Sequence, residues 1–227
     1  MSHVNALLGV DGSWSPSDLP ALALWLDSTD GPTVSGATVT SWLDKSGHGR
    51  HFTSAGSPSL AVGPGGLPVV SLTPSDQMTT PAWGLSTTSV TVLGVARTTN
   101  AGNGRLRVWA SMGSNNHVAL THAGGGGGGE GVLVGGVAWW NLGSPIYDTW
   151  VRQTLTIGGG LNTYRRGALS TDSSYVPLPQ TGFAYLNGDN TDTITCSIAE
   201  LIVCEATLPA TERDQCEAYL AQKWGTP

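Results

Sequence analysis

Residues 198–225, IAELIVCEATLPATERDQCEAYLAQKWG, read as a last strand followed by a closing helix. Ile198, Leu201, Ile202 and Val203 form an apolar, β-branched run of strand length, and Thr207-Leu208-Pro209 ends it, because proline cannot donate to a ladder. The helix then spans about 210–223. Glu212 falls in its first turn, Lys223 in its last, and Gly225 stands where helices commonly stop on glycine. Cys216, Leu220 and Trp224 recur at i, i+4 and i+8, one apolar stripe with Tyr219 beside it, which predicts a helix lying on a sheet while Glu212, Gln215, Gln222 and Lys223 face water. Burying Leu220 and Trp224 is worth roughly 2–3 kcal/mol each.

Working outward, 227 residues fit one all-β domain with a single core. Only 11% of residues are charged and the net charge is -6, which argues against nucleic acid or an anionic membrane surface as partner. The start, MSHVNALLGV, has neither a basic n-region nor a long apolar run, so neither a signal peptide nor membrane insertion is expected. Three cysteines, Cys196, Cys204 and Cys216, cannot all pair within the chain; Cys196 and Cys204 share a strand at an even spacing, and all three are read as buried free thiols.

Strands are expected at Leu22–Asp27, with Leu22, Leu24 and Leu26 on one face, and at Val39–Trp42, Val69–Leu72, Ser89–Arg97, Leu106–Met112, Val118–Thr121, Val132–Trp140, Trp150–Ile157, Thr163–Leu169, Phe183–Leu186 and Ile194–Val203. About a dozen short strands and one helix give an all-β, two-sheet antiparallel sandwich of jelly-roll type. The six glycines 124–129 satisfy any glycine-rich motif, but no βαβ unit surrounds them; they read as a hairpin tip. Residues 1–18 precede the first strand as an N-terminal arm, either disordered or docked on a neighbour through Leu7, Leu8 and Trp14, and residues 19–227 form the domain.

The strand with IAE, a short break, ER and a helix ending YLAxKWG resembles the C-terminus of bacterial and phage domains of the concanavalin A-like lectin/glucanase superfamily, the laminin-G-like jelly rolls. LPALALWLDSTD at 19–30 and VTSWLDKSGHGRHF at 39–52 resemble that family's opening strand and its W-x-D-x-S-G-x-G turn. The resemblance implies a jelly-roll fold, makes Glu200 a structural residue, and makes Trp25, Trp42, Trp150 and Trp224 structural too.

The family's glycanase branch carries two glutamates flanking an aspartate on one strand. The five glutamates here, Glu130, Glu200, Glu205, Glu212 and Glu217, form no such triplet, and Glu205 lies at an odd spacing from Glu200. Glu200 with Asp192 is the one pair that adjacent strands could bring together, and the expectation is no catalysis. His48 and His51 share a loop, while His117 and His122 bracket a strand at odd spacing, so no zinc set assembles. Asp44, in the turn 44–49, reads as a backbone-capping residue, with Asp27, Asp30 and Asp44 the weak alternative of a calcium site; no other cofactor is expected.

Binding is the remaining chemistry. Sugar rings stack on aromatic faces while amides and guanidinium groups take hydroxyls, so Trp139-Trp140-Asn141 and Tyr164-Arg165-Arg166 are the glycan-binding candidates. The expected function is a non-catalytic lectin-like accessory protein at the surface of a phage particle, a capsid decoration or tail protein assembled in the host cytoplasm, with capsid or tail proteins and cell-surface glycans as partners. A homo-oligomer fits such a role. The alternatives are a structural cement protein without a sugar ligand and a glycan hydrolase or lyase.

Overall fold

The computed structural model describes residues 14–81, 83, 88–99, 107–113, 116–121, 131–134, 138–141, 147–158, 162–167, 169–173, 183–187 and 195–227, with the backbone alone described between 107 and 141 and at 169, 173 and 183–185. The strands are β1 (Leu22–Asp27), β2 (Pro32–Ser35), β3 (Thr38–Trp42), β4 (Phe52–Ala55), β5 (Ser59–Val62), β6 (Pro68–Leu72), β7 (Gln77–Thr79) and β8 (Val90–Thr98). They continue with β9 (Arg107–Gly113), β10 (Asn116–Thr121), β11 (Gly131–Val134), β12 (Ala138–Asn141), β13 (Val151–Ile157), β14 (Asn162–Arg166), β15 (Leu169–Ser173), β16 (Phe183–Leu186) and β17 (Cys196–Cys204). Helix α1 (Ala210–Trp224) follows. The fold is an all-β, antiparallel two-sheet sandwich of jelly-roll type with one C-terminal helix among the described residues.

β17 is the centre of the front sheet. β8 pairs with it along its whole length, while β6 takes the start of its other edge and β1 the end. β13, β14 and β15 extend the sheet beyond β8, and β5 extends it beyond β6. The back sheet runs β2-β3-β4-β7-β16-β9-β10-β11-β12. The two layers join where β3 meets β5 at Thr38 and Ser59. β10 and β11 pair from Val118 opposite Val134 to Thr121 opposite Gly131; the glycine run 124–129, read as a hairpin tip, lies outside the described residues.

Two cores sit on the two faces of the front sheet. The inner one, between the sheets, takes Leu24, Leu26, Val90, Val92, Ile198, Leu201 and Val203 from the front and Val39, Trp42, Phe52, Met78 and Leu186 from the back. The outer one takes Trp25, Leu93, Val95, Ala199, Ile202 and Cys204 and is closed by Cys216, Leu220 and Trp224 of α1. Strands covered on both faces lose the apolar–polar alternation, which is why β1, β8 and β17 are nearly continuous apolar runs.

Two register shifts correct the face assignments made from spacing. A shift between Ile198 and Glu200 reverses the parity of β17, so Cys196 lies in the inner core and Cys204 in the outer one despite their even spacing. A shift between Leu22 and Leu24, next to Ala21 at φ 56°, likewise sends Leu22 to the outer core, away from Leu24 and Leu26. The short strands β2, β4, β5 and β7 were not expected; their Ser-, Thr- and Pro-containing segments carry little periodic signal, and the single strands read at Val132–Trp140 and Thr163–Leu169 are instead the antiparallel pairs β11/β12 and β14/β15. All three cysteines are free and buried.

The turn from β1 to β2 is fitted around a tryptophan. Trp42 Nε1 and the Gly31 amide both donate to the Asp27 carbonyl, at 3.1 and 3.0 Å, and Trp42 is fully buried. A Cβ on Gly31 would stand 2.7 Å from that carbonyl oxygen and 2.9 Å from the Trp42 ring. Gly31→Ala is expected to cost about 1–3 kcal/mol as overpacking, read as a lowered urea midpoint at unchanged slope.

Candidate functional site

The antiparallel register of β1 and β17 sets Asp27 opposite Glu200, both facing α1. Glu200 is fully buried and Asp27 is 3% exposed. Glu200 Oε1 accepts hydrogen bonds from Trp25 Nε1 at 2.7 Å and the Tyr219 hydroxyl at 2.9 Å, and Oε2 accepts one from Trp224 Nε1 at 2.7 Å. Lys223 Nζ reaches both carboxylates, 2.8 Å from Glu200 and 2.8 Å from Asp27. Lys223 is therefore not the water-facing residue that its place in the last turn suggested; its ammonium is drawn under the helix to compensate two buried carboxylates.

Burial pushes the Glu200 carboxyl above its ordinary value, an effect that Lys223 opposes and Asp27 reinforces. Burial acts on Asp27 in the same sense, but hydrogen bonds from Lys223 and Thr29 outweigh it and hold the carboxyl below the ordinary value. The Tyr219 hydroxyl is raised by burial and by the Glu200 charge it bonds to.

Beside this hub, Lys45 Nζ bridges Asp27 at 3.1 Å and Asp30 at 2.8 Å and stands 4.4 Å over the Trp25 ring. Asp27 and Asp30 thus converge on an ammonium. Asp44 is turned into its own loop: Oδ1 accepts from the amides of Trp25 and Ser46, and Oδ2 from the Ser46 hydroxyl and the Arg50 amide, all within 3.0 Å. Its own amide donates to His51 Nδ1 at 3.0 Å. Among the described residues no group of three or more His, Cys, Asp or Glu is arranged to hold a metal ion. Close by, Arg50 lies 4.5 Å over the Trp83 ring and donates to the Ala23 carbonyl at 2.9 Å and to Glu205 at 3.4 Å; Glu205 lies past the end of β17.

The glycan candidates are divided. Trp139, Trp140 and Asn141 lie on β12, which pairs with β11 and is the last strand of the back sheet among the described residues, with Trp139 opposite Leu133 and Trp140 opposite Val132. Tyr164 leaves the candidate set: its ring is fully buried in the inner core, where no sugar can stack on it. Arg165, on the other face, is held by α1 through Asp214 at 3.0 Å and Glu217 at 3.7 Å, and Arg166 is half-buried. Leu7, Leu8 and Asp192 lie outside the described residues. Trp14 packs on the chain's own outer core, 5.7 Å from Tyr219, so its ring is engaged within the domain.

The convergence of Asp27, Glu200 and Lys223 was missed at the level of sequence. Its signal was Glu200 itself, a carboxylate inside an apolar strand, which requires donors from elsewhere in the chain.

No protein-family model matches the sequence, and none of the curated proteins matches it. Solved structures do share the fold. Domain 4 of AbnA, a GH43 extracellular arabinanase from Geobacillus stearothermophilus solved in complex with arabinotriose, superposes with a TM-score of 0.65 at 15% identity, covering 87% of this chain and 98% of that one. Trypanosoma rangeli sialidase in complex with sialic acid gives 0.62 at 13% identity, over 98% of this chain but 37% of the sialidase. The binding domain of botulinum neurotoxin serotype D gives 0.58 at 11% identity, over 91% of this chain and 55% of that domain. At these identities the likeness is one of fold, a β-sandwich.

The hub yields two expected outcomes. Glu200→Gln places an amide donor among indole, phenol and ammonium donors, and is expected to cost about 3–5 kcal/mol in urea unfolding. The pH dependence follows from the shifts. Glu200, raised in the folded state, favours folding below its unfolded value and loses that contribution as pH rises through its native value, whereas Asp27, depressed, contributes above its unfolded value and loses it as pH falls. Lys223→Met removes the cation that lowers both, so the variant is expected to gain stability on acidification from pH 7 to about 5, whereas in the parent the two groups oppose each other. Unfolding midpoints measured across that range check it.

Proposed function

We propose that the chain is a non-catalytic, glycan-binding module with a lectin-like fold. The observation that carries this reading is the likeness to arabinanase domain 4, a sandwich solved with arabinotriose that matches this one over nearly its whole length. The carboxylates support the non-catalytic part. Asp27 and Glu200 share one ammonium, yet both are closed beneath α1, and a glycosidase needs two carboxyls open to a sugar across about 5–9 Å. Trp139, Trp140 and Asn141, on the last strand of the back sheet, are the proposed sugar platform, with metal-independent binding.

The same reading places the module on the surface of a phage particle, on capsid or tail, bound to other virion proteins and adhering to host-surface glycans, without nucleic acid or membrane insertion, and as a homo-oligomer. That placement rests on the resemblance of the opening and closing segments to phage jelly rolls. No described helix is long and apolar enough to cross a membrane. A cement role is the second reading, favoured by one observation: Val62 is 79% exposed, with Val34 at 49% and Leu60 at 43%, on the short strands β2 and β5.

A glycan array probed with and without a chelator tests the reading. Binding is expected in both conditions, and Trp139→Ala or Trp140→Ala is expected to weaken it by about 30-fold, the effect of removing a central aromatic anchor. Binding abolished by the chelator would replace the metal-independent site with a calcium-dependent one. Absence of binding would overturn the lectin reading in favour of cement, and release of reducing ends from a bound glycan would overturn the non-catalytic one.

A further inference from the structure

Lys223 Nζ meets three oxygens: Glu200 Oε2 and Asp27 Oδ2, each at 2.8 Å, and the Tyr219 hydroxyl at 3.1 Å. An ammonium carries three hydrogens, and each has one of these acceptors. Moving the hydrogen on the Glu200 side to Oε2 leaves a neutral amine beside a neutral carboxyl, the two forms that amide condensation requires. The freed lone pair faces Glu200, one bond from its carboxyl carbon, while Asp27 and Tyr219 hold the other two hydrogens. That transfer turns two buried ions into two neutral groups, which a site with a fully buried Glu200 side chain favours. Burial raises the Glu200 carboxyl, whereas on Asp27 burial is outweighed by hydrogen bonds from Lys223 and Thr29, so Glu200 takes the proton more readily and Asp27 stays a carboxylate. Glu200 Oε1 already accepts from Trp25 Nε1 at 2.7 Å and from the Tyr219 hydroxyl at 2.9 Å. Two fixed donors thus stand on the oxygen that becomes negative when an amine adds to the carboxyl. Lys45 reaches Asp27 and Asp30 instead, which leaves Lys223 as the amine placed on Glu200.

We propose that Lys223 and Glu200 condense into an intramolecular isopeptide bond, with Asp27 as general base, tying the last turn of α1 to the middle of β17. The ion pair described above is the state from which the bond closes. Lys223 first gives one proton to Glu200 Oε2. The amine lone pair then adds to the Glu200 carboxyl carbon, and the electron pair displaced onto Oε1 is held by Trp25 and Tyr219. Asp27 takes a proton from the nitrogen and returns it to Oε2, which leaves as water while the carbonyl re-forms. One C–N bond forms and one C–O bond breaks. An ammonium and a carboxylate become an amide and a water, so no proton, electron or co-reactant is drawn from outside, and Asp27 ends as it began. The geometry exists only in the folded chain, because Asp27, Glu200 and Lys223 come from β1, β17 and α1.

The test is the intact mass of the full chain and a tryptic peptide map. The expected mass is lower by one water than the sequence gives. Cleavage after Lys223 is blocked by the bond, so the expected map shows peptide 167–213 joined to peptide 214–227, with fragmentation placing the link at Glu200 and Lys223. Lys223→Arg keeps the cation without the amine and is expected to show the full mass and no joined peptide. Asp27→Asn is expected to slow closure by about 100-fold, the effect of removing a general base, when mass is followed in freshly translated chain. The wild-type map stands on its own if either variant fails to fold. Peptide 214–223 recovered free from protein held folded for days would overturn the proposal. So would peptide 214–227 joined to 1–45, which places the bond at Asp27, a lost water with no joined peptides, or a link that forms as readily in urea as in the folded chain.

Discussion

A carboxylate with no solvent contact must find its donors inside the fold, and Glu200 finds them on two segments far apart in sequence. Trp25 comes from the first strand, Tyr219 and Trp224 from the helix, and Lys223 supplies the countercharge it shares with Asp27. Because these bonds are directional, they fix the rotation of α1 about its own axis as well as its docking, which an apolar stripe of Cys216, Leu220 and Trp224 alone would leave loose. The outer core is thus apolar material clamped at one end by a polar lock. Removing one part of the lock leaves the others buried without partners, so its loss costs more than any single hydrogen bond in it.

The front sheet was largely legible in the sequence. The strands at β8 and β17 and the i, i+4, i+8 stripe of α1 were readable from residue type and spacing, and the structure agrees with them to within two residues at their ends. What escaped was anything set by one irregular residue. Spacing assigns faces only while the register is unbroken, and the shifts at Leu22/Leu24 and Ile198/Glu200 each reverse it. Tyr164 shows the limit from another side: a tyrosine beside arginines reads as a polar patch, but on a strand Arg165 points the opposite way, and the Tyr164 ring is fully inside. Lys223 was placed in water because the helix pattern says nothing of a carboxylate that is 23 residues away in sequence but beneath the helix in space.

The polar residues of the described loops are spent on the fold. Asp44 organises its turn, Asp76 holds the amides of Ser57 and Thr73, and Asn187, fully buried, donates to the carbonyls of Thr73 and Asp76. A chain with so few charges has few to spare for chemistry. Recognition through aromatic faces and amides suits such a composition better than acid–base work.

The position of β17 governs when this molecule can fold at all. β1, made first, has β17 as its paired neighbour, and β6 and β8 also lean on that late strand. During synthesis the early strands lack their central partner until β17 is made, so the front sheet assembles only after residues 196–204 have left the ribosome. Pairings this distant in sequence carry a high contact order and slow closure. For that interval the apolar runs of β1, β6 and β8 lack their native partner, which leaves their edges open to pairing with another chain.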